Sequence, residues 1–429
     1  MLASSWYNGR RLVLPPTAVH SQVAAYPIPG AMPKKSVADV DWAGRRALVR
    51  VDFNVPLDDG SVADDTRIRG ALPTLTHLLE GGAALILMSH LGRPKGRSSP
   101  GFSLAPVACQ LEEMLQREVR MAPDCVGGEV ERMADGMRAG EVLLLENLRF
   151  HSEEEANDPG FARRLAALGD AYVNDAFGTA HRAHASTEGV AHHVGTAVSG
   201  LLMQREIAYL ADALSDPARP YLAIMGGAKI SGKVELIEHL LDRVDGLLIG
   251  GGMQFTFLRA QGLEIGDSLL EEETVDTAAA VLAAAAAKQV DLLLPTDTVA
   301  ADRFAADAAT RIVEVTGLSA GWQGLDIGPE TRSRFAARIA AAGTVVWNGP
   351  LGVCELAPFA AGTAAVAEAV AAATDAGAVT IIGGGDTAAA VRQAGCDKRM
   401  RHISTGGGAS LECLAGRELP GVAVLDEAE

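Results

Sequence analysis

The chain has few of the residues that mark several classes of protein. Its five cysteines are far apart and form no CxxC pair, which argues against a disulfide framework and indicates buried thiols in a reducing compartment. No apolar run is long enough to span a bilayer. A basic tract is also missing and the formal net charge is −17, so the sequence predicts neither nucleic-acid nor anionic-membrane binding.

Acidic residues are absent before Asp39. Residues 1–31 hold serines, an Arg10-Arg11 pair and several prolines, a composition related to that of transit segments, but no long apolar core or arginine-rich amphipathic helix is evident. We expect a disordered extension, or a start placed upstream of the true initiator Met32, with folded sequence from near Lys35. The expected location is the cytoplasm, with organellar import as the alternative if residues 1–31 are a transit segment.

Short apolar runs alternate with helical stretches over the rest of the chain. Strands are predicted at residues 47–53, 84–89, 141–145, 171–174, 221–225, 246–249, 291–294, 344–347, 379–382 and 402–404. Helices are predicted at residues 67–79, 104–115, 161–168, 201–214 and 277–287. This alternation predicts an α/β fold with parallel sheets covered on both faces, and 429 residues exceed one hydrophobic core, so we expect two domains.

The ends of the predicted strands carry two different chemistries. In the first half they are cationic, at residues 89–94 (SHLGRP), 146–151 (ENLRFH) and 179–182 (TAHR). In the second half they are rich in glycine, at residues 226–229 (GGAK), 250–252 (GGG), 383–387 (GGGDT) and 405–408 (TGGG). Because ligands of parallel sheets bind beyond the carboxyl ends of the strands, the first half is suited to a small anion and the second to phosphates. The division indicates phosphoryl transfer between two substrates held on separate lobes.

Two familiar nucleotide-binding signatures are incomplete. Residues 227–233 fit the start of a P-loop, but Val234 stands where a Ser or Thr must hold Mg²⁺, which disfavours a Walker-type NTPase. Residues 383–388 fit GxGxxA, but no acidic residue follows about 20 positions later, which weakens the dehydrogenase interpretation.

Each candidate side chain also has a plain structural interpretation. Lys229, Lys233, Asp386 and Thr387 suit a Mg²⁺-nucleotide, whereas Asp386 alone is as well explained as a helix N-cap. Glu355 is either a solvated carboxylate or a ligand of ribose hydroxyls. A larger group suits an anionic substrate with hydroxyl and carboxyl oxygens: Asp52, Asn54, Arg67, His90, Arg93, Arg149 and Arg182. The rival interpretation of these cations is a salt-bridge network with Asp64, Asp65 or Asp175.

Taken together, the motifs resemble the phosphoglycerate kinase family. The matching segments are residues 50–56 (RVDFNVP), 89–94, 146–151, 174–184 (NDAFGTAHRAH), 226–233, 250–257 (GGGMQFTF), 346–353 (VWNGPLGV), 383–387 and 404–411 (STGGGASL). The resemblance runs in order from about Met32 to Leu414. It implies two Rossmann-like α/β/α domains joined by a helix and hinge, and reversible phosphoryl transfer from 1,3-bisphosphoglycerate to MgADP by a monomer.

The resemblance also implies a domain division and the role of each site residue. The division is an extension (1–32), a triose-phosphate domain (33–203), a Mg-nucleotide domain (204–410, with the inter-domain helix at 204–219) and a tail (411–429) that returns to the first domain. The implied substrate site comprises Asp52, Phe53, Asn54, Arg67, His90, Leu91, Gly92, Arg93, Arg149 and Arg182. The implied nucleotide site comprises Lys233, Gly251, Asn348, Glu355, Gly384, Gly385, Asp386 and Thr387, with Asp386 also reaching Mg²⁺ through the phosphates.

Catalysis is assigned to four positions, Arg67, Lys229, Gly384 and Gly407, because a transferring phosphoryl group needs positioned cations and amides more than a base. The alternative is a catalytically silent phospho-ligand sensor on the same fold, although such a sensor has no need to retain Arg67 and Lys229. Cys354 and Leu356 depart from the family, which more often has an aromatic on each side of the glutamate equivalent to Glu355.

Overall fold

The first half of the chain folds around a six-stranded parallel sheet. The computed structural model describes residues 34–428, except for the side chains of residues 211–215. The strands of this half are β1 (Arg46–Arg50), β2 (Leu57–Asp58), β3 (Ser61–Val62), β4 (Ala84–Met88), β5 (Val119–Met121), β6 (Val142–Leu144), β7 (Ala171–Asn174) and β8 (Ala197–Ser199). Its helices are α1 (Thr66–Glu80), α2 (Ala105–Leu115), α3 (Gly128–Asp135), α4 (Ser152–Glu155) and α5 (Pro159–Ala166).

The sheet order is β5-β6-β4-β1-β7-β8, and β2 and β3 form a separate hairpin. Every residue of β4 and β7 is buried, as expected for strands covered by helices on both faces. Helix α1 covers one face through Ile68, Ala71, Leu75 and Leu78, whose spacing places them on one side of the helix. This packing brings the carboxyl ends of β1, β4, β6 and β7 to one edge of the sheet.

Helix α6 (Leu201–Ser215) follows the first sheet and its first turn is bound to that sheet's residues. The carboxylate of Asp175, just after β7, accepts hydrogen bonds from the amides of Leu202 at 2.9 Å and Met203 at 3.1 Å. The amide of Leu201 donates to Thr74 Oγ1 at 2.9 Å. Burial raises the pKa of Asp175 to about 7, although hydrogen bonds from the Thr74 side chain and from the amides of Met203 and Leu202 oppose the shift.

The second half contains a similar parallel sheet. Its strands are β9 (Tyr221–Met225), β10 (Gly246–Ile249), β11 (Asp291–Leu293), β12 (Asp297–Ala301), β13 (Thr310–Glu314), β14 (Gln323–Ile327), β15 (Thr344–Asn348), β16 (Val379–Gly383) and β17 (His402–Ile403). Its helices are α7 (Val234–Leu240), α8 (Met253–Ala260), α9 (Val275–Ala287), α10 (Pro329–Ala340), α11 (Ala361–Asp375), α12 (Gly385–Gln393), α13 (Gly408–Leu414) and α14 (Pro420–Ala423). The parallel sheet has the order β11-β10-β9-β15-β16-β17.

The α/β fold class predicted from the alternation is confirmed, and one sheet was not predicted. Strands β12, β13 and β14 form an antiparallel sheet of three strands. Strand β13 alternates exposed and half-buried residues, so it lacks the continuous apolar run that marked the parallel strands. The edge strands β5 and β8 of the first sheet are three residues long and also escaped the pattern.

The last described residues lie against the first half of the chain. The amide of Lys35 donates to the carbonyl of Asp426 at 2.8 Å. The amide of Asp426 donates to the carbonyl of Ala197 at 2.8 Å. Asn174 Nδ2 also donates to the carbonyl of Gly421 at 2.9 Å. Residues 1–31, with the expectations placed on them, lie outside the described residues. No helix in the described part of the chain combines the length and apolar character that crossing a bilayer requires.

Candidate active site

Arg67 lies in the first turn of α1 and is bound to the segment that follows β1. Its Nη1 donates to Asp52 Oδ1 at 3.0 Å and to the carbonyl of Asn54 at 3.0 Å. The Arg67 side chain is 35% exposed, whereas that of Asp52 is 11% exposed. One nitrogen of the guanidinium is therefore fixed by protein oxygens while the rest of the group remains accessible, which orients the cation before a ligand binds.

His90 is buried at the end of β4, among arginines. Burial lowers the pKa of its imidazole well below the usual value, and Arg50, Arg149, Arg67 and Arg182 lower it further by repulsion. Arg50 Nη2 lies 3.1 Å from His90 Nδ1. Because a guanidinium can only donate, Nδ1 accepts and the proton of the neutral ring lies on Nε2. His90 thus offers one N–H donor to an anion without adding charge.

Beneath His90 is a buried hydrogen-bonded chain that the sequence did not reveal. Arg50, 1% exposed, donates from Nε to Ser186 Oγ at 2.8 Å. Ser186 donates in turn to the fully buried carboxylate of Glu154, from Oγ at 2.6 Å and from its amide at 3.0 Å. Burial raises the pKa of Glu154, while Arg50 is the largest influence that opposes the rise. In the sequence, Glu154 belongs to a run of three glutamates after His151. Such a run is typical of a solvated helix end, so it did not indicate a buried carboxylate.

Arg149 is buried at the end of β6 and holds the loop that follows β4. Its Nη1 donates to the carbonyl of Gly92 at 2.7 Å, and its Nε lies 3.3 Å from Glu155 Oε1 without hydrogen-bonding geometry. Burial lowers its pKa, but a guanidinium remains charged at neutral pH. Gly92 has φ +61°, and the ring of Phe102 occupies the space that a Cβ would need, so glycine is required here.

The remaining residues of the predicted substrate site lie at the same edge. Arg93 is exposed, and Arg182 is half-buried with its Nε 3.1 Å from His181 Nε2. Phe53 and Leu91 have buried side chains inside the core, so only their backbone can meet a ligand. Asn54 Oδ1 accepts from the amide of Gly92 at 2.8 Å and so joins the ends of β1 and β4.

The salt-bridge interpretation of these cations is not supported by the described residues. Asp65 pairs with Arg69, Asp64 lies 4.0 Å from Arg392 across the two halves, and Asp175 caps α6. Within the described residues, the four arginines of this group therefore form no ion pair with these three carboxylates, although the charge of Arg67 helps to lower the pKa of Asp64.

The glycine loop after β16 ends in an uncapped helix. Gly384, with φ +90°, is the N-cap of α12, and no side chain caps that helix. A Cβ on Gly384 would approach Asn348 Nδ2 within 2.8 Å. The first-turn amides, including those of Gly385 and Thr387, have no intrahelical acceptor and are oriented for an anion. Asp386 is exposed inside this first turn, so the N-cap interpretation of Asp386 is wrong.

Buried polar side chains fix the neighbouring strand ends. Asn348 Nδ2 donates to the carbonyl of Gly383 at 2.9 Å, and Thr387 Oγ1 accepts from the amide of Gly349 at 2.7 Å. Gly251 is buried with φ +65°, and its amide donates to the carbonyl of Leu351 at 3.2 Å. These contacts position the loops after β10, β15 and β16 relative to one another.

Two lysines flank the loop after β9. Lys229 is exposed, whereas Lys233 is half-buried and donates from Nζ to the carbonyl of Gly226 at 2.7 Å. Burial lowers the pKa of Lys233 to about 8, although the carboxylate of Asp386 opposes the shift. The charges of Lys233 and Asp386 therefore influence one another, as expected for a site that takes phosphates and a metal ion.

The last two predicted positions lie at the rim of this half. Glu355 is exposed, with its Oε2 4.0 Å from the buried Cys354 Sγ. Gly407, with φ +50°, is the N-cap of α13, and the following Gly408 approaches the ring of His181 from the first half. Gly407 thus lies where the two halves of the chain meet.

Asp386 suits Mg²⁺, since its exposed carboxylate supplies the oxygen ligand that this ion prefers beside a phosphate site. Within residues 34–428, a mixed cluster of metal-ligand types occurs elsewhere, at Asp124, Cys125 and His151. There His151 Nε2 and Asp124 Oδ1 are hydrogen-bonded at 2.7 Å, and burial raises the pKa of the Cys125 thiol well above its usual value. This hydrogen bond and the buried thiol explain the three residues as structural neighbours and not as a metal site.

Cationic side chains gather at the edge of one parallel sheet. At the other sheet, lysines flank a glycine-lined helix terminus. Together these two sites define a two-lobed phosphotransferase. A family profile described as Phosphoglycerate kinase matches residues 37–417. The chain is 57% identical over 397 residues to the phosphoglycerate kinase of Chloroherpeton thalassium, covering 92% of this chain and 100% of that protein. It is 58% identical over 401 residues to the phosphoglycerate kinase of Chloroflexus aggregans, covering 93% of this chain and 100% of that protein.

A solved structure agrees with these sequence matches. The phosphoglycerate kinase of Coxiella burnetii aligns with a TM-score of 0.82 at 41% identity, over 91% of this chain and 98% of that chain. The chain belongs to the phosphoglycerate kinase family. The resemblance inferred from the motifs is therefore confirmed.

Proposed function

We propose that this protein transfers the acyl phosphate of 1,3-bisphosphoglycerate to MgADP, giving 3-phosphoglycerate and MgATP, and catalyses the reverse reaction. The observation that carries the proposal is the presence of two complementary sites in one chain. In the first, Asp52 orients Arg67, and in the second, the first turn of α12 is uncapped and Lys233 adds positive charge. The first arrangement suits a small multiply charged anion, and the second suits nucleotide phosphates. Membership of the family supports both assignments.

In the proposed mechanism, the first lobe binds the triose phosphate. His90 donates from Nε2, Arg149 holds the loop at Gly92 in place, and Arg93 and Arg182 offer guanidinium groups to the anion. Phe53 and Leu91 contribute backbone groups only, because their side chains are buried. Asp52 accepts from the substrate hydroxyl and Asn54 Nδ2 donates to a carboxyl oxygen, while Asp52 Oδ1 and the Asn54 carbonyl orient Arg67.

The second lobe binds the nucleotide. Amides of the first turn of α12 meet the phosphates, Lys233 adds charge, Asn348 and Thr387 fix the loops, and Glu355 meets the ribose. Asp386 would hold Mg²⁺, which would supply positive charge to the phosphate oxygens. Arg67, Lys229 and the amides near Gly384 and Gly407 stabilise charge on the transferring phosphoryl group, and no general base is needed because the acceptor is already ionised.

The same proposal places the substrates on separate domains, at residues 33–203 and 204–410, with α6 between them and residues 411–429 returning to the first. The bonds from Asp175 to α6 and from Lys35 to Asp426 support this division. Transfer then requires the lobes to approach and exclude water around the phosphoryl group. We further propose a cytoplasmic monomer, a location with which the five free cysteines agree, although Cys109 is exposed and not buried as predicted.

A coupled assay with ATP, Mg²⁺ and 3-phosphoglycerate tests the proposed function. We expect turnover that depends on all three components. The opposing candidate is a silent sensor that binds both ligands without turnover. Calorimetric binding of both ligands, combined with no product in the coupled assay, would establish the sensor instead.

The pKa of Lys233 leads to a specific pH dependence of nucleotide use. Since this pKa lies near 8 rather than 10.5, the cation is lost as the pH rises through about 8. The protonated fraction falls from about 90% at pH 7 to about 10% at pH 9, so the KM for MgATP should rise about tenfold over that interval. Steady-state kinetics at saturating 3-phosphoglycerate measures this KM at each pH. Lys233→Arg should flatten the profile, and an unchanged profile in that variant would contradict the assignment.

A further inference from the structure

The loop after β9 contains a ready-made anion position that the protein fills itself. The amides of Ile230 and Ser231 both donate to Glu271 Oε2, at 2.6 and 3.1 Å, and Ser231 Oγ donates to Oε1 at 2.6 Å. Successive amides that converge on one oxygen form the kind of nest that binds phosphate in P-loops. Here the carboxylate of Glu271 occupies the nest, so these two amides already have an acceptor within the protein.

Glu271 is itself firmly held. Its side chain is buried, its amide lies 3.4 Å from Thr256 Oγ1 on α8, and its carbonyl accepts from Thr274 Oγ1 at 3.0 Å. Burial disfavours the ionised carboxylate, but the hydrogen bonds from Ser231 and Ile230 and the charge of Lys229 outweigh it, so the pKa of Glu271 lies below its usual value. The group is therefore an anion at neutral pH, directed into the loop.

The loop depends on this contact. Lys229, Ser231 and Gly232 are exposed and only Ile230 is buried. Among the described residues, Glu271 is the acceptor in every hydrogen bond that residues 229–232 make with a side chain. At the end of the loop, Lys233 is the N-cap of α7, and no side chain caps that helix. The two lysines of the proposed nucleotide and catalytic site thus flank a segment that one carboxylate anchors.

We propose that Glu271 is a positioning residue for phosphoryl transfer, whose carboxylate fixes the loop of residues 229–232 so that Lys229 and Lys233 meet the phosphates in a single geometry. The inference rests on the proposed function. Glu271 touches neither substrate and acts only through the loop. Loss of a positioning group should affect the step in which charge develops more than the binding of the distant triose phosphate.

The test uses two variants and a neighbouring control. In Glu271→Ala we expect kcat to fall about tenfold and the KM for MgATP to rise a few fold, with the KM for 3-phosphoglycerate unchanged. Glu271→Gln should recover most of kcat, because its carbonyl oxygen can accept from both amides and its NH₂ can donate to Ser231 Oγ. Glu273→Gln removes a charge from an exposed neighbour and should match the parent protein.

Repeating Glu271→Ala in a protein that already carries Lys229→Ala distinguishes a positioning role of Glu271 from a general effect on stability. Because Glu271 acts through Lys229 as well as Lys233, the loss in kcat caused by Glu271→Ala should be markedly smaller when Lys229→Ala is already present. Assays run well below the melting temperature of each variant remove unfolding as a cause. Equal losses in both backgrounds, or normal kcat in a folded Glu271→Ala protein, would overturn the inference. Activity of the parent protein reports separately on the proposed function, so failure of the positioning role is distinguishable from failure of that function.

Discussion

Arg67→Ala should lower kcat roughly 10³-fold, by analogy with other arginines that stabilise phosphoryl transfer. Arg67 is held by Asp52 and the carbonyl of Asn54 with part of its guanidinium accessible, so it is placed to meet charge that grows in the transition state. Because this interaction is weaker in the ground state, the KM for either substrate should change far less than kcat. Steady-state kinetics with MgATP and 3-phosphoglycerate gives both quantities.

Two other arginines serve as comparisons for Arg67. Arg69 lies in the same helix, is paired with Asp65 and has a 63% exposed side chain, so Arg69→Ala should leave kcat unchanged. Arg149→Ala should chiefly raise the KM for the triose phosphate, since Arg149 is assigned to ground-state binding and holds Gly92. A loss confined to KM in Arg67→Ala, or a loss confined to kcat in Arg149→Ala, would reverse the two assignments.

Asp386→Asn should lower the rate at a fixed, moderate Mg²⁺ concentration about 10²-fold, a typical cost of losing one group that acts on transition-state charge. The substitution keeps the size of the side chain but removes the charge that we assign to the metal. The rate should recover in part as Mg²⁺ is raised, because a weakened site fills at higher concentration. Initial rates across a Mg²⁺ series at constant ATP measure this shift.

The control for Asp386 is Asp307→Asn, which removes an 86% exposed carboxylate paired with Arg303 in the antiparallel-sheet region. Its Mg²⁺ dependence should match that of the parent protein. The melting temperature of Asp386→Asn should change little, since a charge in the first turn of a helix contributes about 0.3–1 kcal/mol. If Asp386→Asn kept the Mg²⁺ dependence of the parent protein, the assignment of Asp386 to the metal would be wrong.

The sequence predicted the parallel strands well because each is a continuous apolar run bounded by turns. Strands β7, β9 and β10 begin and end at the predicted residues, and the predicted strand at residues 47–53 differs because the ladder stops at Arg50. The three-stranded antiparallel sheet was missed in part because β13 alternates exposed and half-buried residues and has no continuous apolar run.

The sequence alone determined the α/β class, the family and the residue types at each strand end. These follow from periodicity and from motifs that are local in the chain. It also determined that Val234 excludes a complete P-loop, since one position decides whether a hydroxyl can reach a metal.

Only the tertiary structure decided which partners orient those residues. Asp52 binds Arg67, Arg50 sets the tautomer of His90, and Glu271 occupies the amides of the loop after β9, although 40 residues or more separate the partners in the last two contacts. Likewise, only the structure excludes Asp386 as an N-cap, because α12 begins at Gly385. A hydrogen bond between distant segments depends on how strands and helices are brought together, and no local pattern encodes that distance.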